Sequence, residues 1–107
     1  MVLHHSVGIT YGIELPADTD TEAIERACFG QPDSPDSVGY IVIGDRDRLI
    51  LATRYTPAEE NTVTRITADF ATADELAAWE TALRAVTGRL GLADLPAPGW
   101  LLVHNYR

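Results

Sequence analysis

Residues 38–55, VGYIVIGDRDRLILATRY, constrain the fold more than any other stretch of this chain. Two apolar runs, 38–43 and 49–55, flank the polar tetrapeptide Gly44-Asp45-Arg46-Asp47. β-branched and aromatic residues fill the first run, and Gly and Asp follow it, so the pair predicts a β-hairpin with a four-residue connection. Alternation puts Val38, Tyr40 and Val42 on one side of the first strand and Ile41 and Ile43 on the other. In the second, Leu49 and Leu51 oppose Ile50 and Ala52. Strands apolar on both sides must be covered on both sides.

The flanking segments supply the remaining elements. Residues 7–14, VGITYGIE, alternate with Val7, Ile9, Tyr11 and Ile13 on one face and Gly8, Thr10, Gly12 and Glu14 on the other, which predicts a half-buried strand. Glycine inside a strand marks close approach by another backbone, a ring or a ligand. Thr19 and Glu22 have the spacing of a capping box, opening a short helix that Gly30 stops, with Ala23, Ile24, Ala27 and Cys28 on its apolar side. Residues 31–37 form a Pro/Asp/Ser loop. Residues 62–70, TVTRITADF, are β-branched and predict an additional strand with Ile66, Ala68 and Phe70 inward. A second capping box, Thr72 with Glu75, opens a helix to about Leu90, whose stripe Leu76, Trp79, Leu83, Val86 and Leu90 predicts packing on a sheet. Beyond Gly91 and a Pro-rich connector, residues 100–106 predict the last strand.

The order βαββ(β)αβ predicts a single α+β domain over residues 1–107. It has two layers, an antiparallel sheet of four to five strands with both helices on one face, in the split β-α-β arrangement of the ferredoxin-like kind. In that arrangement the first strand is central and antiparallel to the last. The face away from the helices carries Gly8, Gly12 and half the hairpin's apolar residues. Left open, it is an apolar patch of the kind that marks an interaction site.

Composition narrows the function classes. With 46% hydrophobic and 22% charged residues the chain is that of an ordinary folded domain. No run approaches a membrane span, and no basic segment followed by an apolar one stands at the N-terminus, so a cytoplasmic location is expected. A single cysteine, Cys28, rules out an internal disulfide, and its place on a helix stripe predicts a buried, unreactive thiol. The net charge of −8 disfavours nucleic acid and favours a basic partner, if any. All eight basic residues are Arg, a usage typical of GC-rich bacterial or phage coding.

Candidate site residues are few. His4, His5 and His104 converge at one sheet end if the terminal strands pair, the donor set of a three-histidine zinc site. Asp45 and Asp47 are explained by turn chemistry. Tyr40, Tyr55 and Trp100, with Gly8 and Gly12, are the candidate binding residues, as aromatic anchors over small ones on the second face. No phosphate loop, nucleophile elbow or Cys/His metal spacing is present, and no cofactor is implied. The expectation is a small acidic interaction module, of inhibitor, immunity or regulatory type, acting through the apolar face and an acidic rim. Two alternatives are a sheet-to-sheet homodimer enclosing an apolar cavity, as a small-molecule binder or cofactor-free enzyme, and a structural subunit of a larger (viral) assembly.

Overall fold

The computed structural model describes residues 5–31, 37–45, 48–59, 61–92 and 94–106, the side chains of His5 and Tyr106 excepted. The elements are β1 (His5–Leu15), α1 (Thr21–Cys28), β2 (Gly39–Ile43), β3 (Arg48–Ala58), a 3-10 turn (Ala68–Phe70), α2 (Ala73–Leu90) and β4 (Gly99–Tyr106). Every strand pairing is antiparallel and the order across the sheet is β2-β3-β1-β4, so the fold is α+β with four strands and two helices. β1 is interior and pairs with β4, as the terminal strands were expected to do. Most of the loop at 31–37, His4, and the hairpin residues Arg46 and Asp47 lie outside the described residues.

The helix-bearing face holds the larger core. Ile13 lies opposite Leu51 and Leu15 opposite Leu49, so the four side chains share a face. There they join Ile24 and Ala27 of α1, Leu83 and Val86 of α2, and Val38. On α2 the predicted stripe is realised: Trp79, Leu83 and Val86 are buried and Leu76 and Leu90 half-buried. Its capping box is formed at both bonds, Glu75 N–H to Thr72 Oγ1 at 3.1 Å and Thr72 N–H to Glu75 Oε1 at 3.0 Å. At its other end Gly91 is left-handed, and the Leu92 and Gly91 N–H groups donate to Thr87 and Gly88, a Schellman stop.

Helix α1 starts differently from the sequence expectation. Asp20, not Thr19, is the N-cap, its carboxylate accepting from Glu22 N–H at 3.0 Å, while the Thr19 hydroxyl donates to the Pro16 carbonyl. Aspartate caps at least as well as threonine, and Thr19 is held by the preceding turn. Arg89 of α2 donates to the Ala27 carbonyl at 2.8 Å, a cation at the C-terminal end of α1 that also ties the helices together. The Gln31 side chain accepts from Val38 N–H and donates to the carbonyls of Val38 and Cys28, closing the base of the loop before β2.

Residues 62–70 are not a strand. Asn61 through Asp69 are exposed, Ile66 and Ala68 among them, and only Phe70 is half-buried, against Trp100. β-branched residues form strands where a pleated neighbour gives them something to pack on. β3 runs on to Ala58, so β1 is flanked by β3 and β4 and offers this segment no edge.

The second face closes on itself. β1 contributes Gly8, Thr10 and Gly12 to it, β3 contributes Ile50, Ala52 and Tyr55, and β4 contributes Val103 and Asn105. The expected open patch is absent: Thr10, Ile50, Ala52 and Val103 are all buried within this single chain. The cause is a bend in the two long strands. Between the pairs Thr10–Tyr55 and Gly12–Ala52, β3 carries two residues against one on β1, a bulge that increases twist. The Thr53 hydroxyl fastens the bend by donating to the Tyr11 carbonyl at 2.7 Å. Gly12 permits it, because a Cβ there would run into the Leu51 carbonyl oxygen. The coil brings the end of β4 to the end of β2, the opposite edge of the sheet. Gly44 N–H donates to Asn105 Oδ1 at 3.0 Å, and Asn105 Nδ2 donates to the Val42 carbonyl at 3.2 Å.

Candidate interaction surface

The candidate binding residues do not share a face. Tyr40 lies opposite Leu51 on the helix-bearing side, packs against the main core and donates its hydroxyl to Glu25 at 2.9 Å. Trp100, opposite Tyr11, is on that side too. Tyr55 alone of the three aromatic residues is on the second face, where its ring fills the side-chain space of Gly8. The two strand glycines thus mark close approach by a ring and by a backbone. His104 pairs with Val7 and is exposed; His5 pairs with Tyr106. Among the described residues no three metal-ligating side chains cluster.

Trp100 anchors an aromatic group at the meeting of β1, α2 and β4. Its ring lies 5.3 Å from Tyr11, 6.2 Å from Trp79 and 5.3 Å from Phe70, edge-on to the first two. Such tilted contacts are favourable for aromatic quadrupoles. Arg54, within the β3 bulge, stacks 4.9 Å above the Trp79 ring and donates to Glu75 Oε2 at 2.6 Å. Glu75 therefore serves both the helix cap and the bulge. Its carboxyl is held below the usual range, chiefly by the Thr72 N–H and then by Arg54. Burial pushes the Cys28 thiol up, with Arg89 opposing. A raised thiol is a poor nucleophile.

The exposed apolar surface lies beside this cluster. α2 covers Tyr11 with its own Trp79 but leaves the outer part of β4, where Trp100 is 41% and Leu102 75% exposed. The segment 61–70 adds Ile66, 55% exposed, and Val63, 99% exposed. Between them a cleft of about 260 Å³ is lined by Ile9, Pro57, Ile66, Phe70 and Leu102 together with small and threonine side chains. It is smaller than the roughly 300–1,000 Å³ of typical ligand pockets, and among the described residues no ionisable side chain lines it. A more open depression beside α1, about 510 Å³, is lined by Glu22, Glu25, Arg26 and Phe29.

The sequence reading missed Leu102, Ile66 and Val63. The alternation Trp100, Leu102, His104 was visible, but which side of β4 the helices leave bare depends on the coil. No helix of the described residues is long and apolar enough to cross a membrane. The class that fold and surface define is a small α+β domain with a neutral apolar flank on an acidic body. No protein-family model matches the chain, and neither a curated protein nor a solved structure is found to be similar to it.

Proposed function

We propose that this chain is a small protein-interaction module whose contact surface is the flank formed by β4 and residues 61–70. The observation that carries the reading is the exposure of Leu102 and Ile66 on one apolar cleft, with half-exposed Trp100 beside it against Phe70. Contiguous apolar surface of this kind is costly in water and is kept where a partner covers it. Trp100, braced by three rings, is a pre-ordered anchor of the type that dominates binding energy at interfaces. A cleft with no ionisable group among its described lining residues favours docking over acid–base chemistry. A sheet-to-sheet dimer through the second face has little to bury, because that face is buried in one copy.

The same reading takes the fold to be a strongly coiled relative of the split β-α-β, ferredoxin-like arrangement. The order β2-β3-β1-β4, with β3 between β1 and β2, supports it.

The test is capture on immobilised protein, wild type against the double variant Ile66→Lys, Leu102→Lys. The reading expects a defined protein, another chain or an untagged copy of this one, to bind wild type and be lost from the variant. Equal retention by both would contradict it.

A further inference from the structure

We propose that the Arg65–Ile66 bond is a processing site, cut in the folded chain by an arginine-specific protease, and that the cut switches the docking flank off. The switching rests on the interaction-module reading; the cleavage site does not. Exposed chain without backbone bonds is where folded proteins are nicked, because a protease must draw several extended residues into its cleft. Residues 61–69 are exposed throughout, and among the described residues no backbone group of 63–66 makes a hydrogen bond. The bonds that tie the segment lie near its ends. The Thr62 hydroxyl donates to the Glu59 carbonyl at 2.7 Å, and Phe70 N–H donates to the Thr67 carbonyl at 3.0 Å.

The arginine selects the enzyme class. A trypsin-like specificity pocket holds a carboxylate at its base and takes a guanidinium that is free to leave the surface. Arg48, Arg54 and Arg84 are paired with Glu14, Glu75 and Glu80, and Arg89 donates to the Ala27 carbonyl. These four, and Arg26, also lie in helix or strand, whose backbone would have to open first. Arg65 is exposed, lies outside helix and strand, and has no carboxylate partner among the described residues. Ile66 follows it, not the proline that such enzymes reject.

Hydrolysis adds one water across the amide, leaving a carboxylate on Arg65 and an ammonium on the Ile66 nitrogen. The two pieces stay together, because the cut crosses no core element. β1 still pairs with β4 over eight positions, and Leu83 and Val86 still pack with Ile13 and Ile24. What changes is the cleft. Ile66 and Thr64 line it with Phe70 and Leu102, so the cut sets a charge on a lining residue. An apolar partner would have to bury that charge without a counter-ion.

Limited digestion with trypsin, read by mass spectrometry, tests the site on wild type, Arg65→Gln and Arg46→Gln. Wild type and Arg46→Gln should first give fragments 1–65 and 66–107, which stay together near 11.7 kDa until denatured. Arg65→Gln should lose that first cut. A first cut elsewhere, or an unchanged pattern in Arg65→Gln, would overturn the site. A protein captured by intact chain through Ile66 and Leu102 should be lost from the nicked chain; equal retention would overturn the switch. An intact chain that captured nothing would remove the docking reading and the switch with it, while the mapped cut would still decide the processing site.

Discussion

At the residue scale the two strand glycines do different work, and substitution separates them. The Cβ of Gly12→Ala meets backbone, the Leu51 carbonyl at the bend, and backbone cannot step aside. The Cβ of Gly8→Ala meets the Tyr55 ring, which is able to rotate away. Chemical denaturation should show Gly12→Ala losing about 3 kcal/mol or more and Gly8→Ala distinctly less. Equal losses would contradict the bend. That glycine meant close approach was legible in VGITYGIE; whether a ring, a backbone or a ligand came close was not, because the approaching atoms belong to residues some 40 positions later. Glu75 supplies a pH test. A carboxyl lowered on folding stabilises fully above its unfolded value, about 4.3, and that stability is lost as pH falls through the lower folded value. Glu75→Gln should therefore flatten the acid limb of the stability curve. Parallel acid limbs for variant and wild type would show that the carboxylate is not held as described.

At the element scale, α2 was the most legible part of the chain. Its 3-4-3-4 stripe and capping box are local patterns, and both are realised. Leu83→Ala should cost on the order of 2–5 kcal/mol, and Thr72→Ala about 1 kcal/mol through the lost cap, both measurable by urea titration. A Leu83→Ala loss below that of Thr72→Ala would put the stripe elsewhere than in the core. Residues 62–70 show the limit of local reading. Their β propensity is genuine, but a strand needs an edge, and edges are allotted by long-range pairing that no window of nine residues contains. The hairpin was read correctly in kind, and β3 runs three residues further than Tyr55, because β1 supplies a partner as far as Ala58.

At the scale of the whole molecule, the sheet covers its own second face. The sequence demanded a cover for Ile50, Ala52 and their neighbours but could not say that the cover was the sheet, since the closing contact joins residues 61 and 63 positions apart. Asn105 holds that contact with two bonds to β2 backbone. Asn105→Ala leaves a half-buried donor, Gly44 N–H, and acceptor, the Val42 carbonyl, unmatched and should cost about 1–3 kcal/mol at neutral pH. With the inner face closed, the large apolar side chains exposed among the described residues are Phe29 after α1 and, on the flank of β4, Val63, Ile66, Trp100 and Leu102.

The most direct test is the response of methyl resonances to a soluble paramagnetic agent. Ile50 and Val103 should be as shielded as Leu83, while Val63 relaxes strongly. If Ile50 and Val103 relaxed as fast as Val63, the second face would be open, and the account of a self-closing sheet would be wrong.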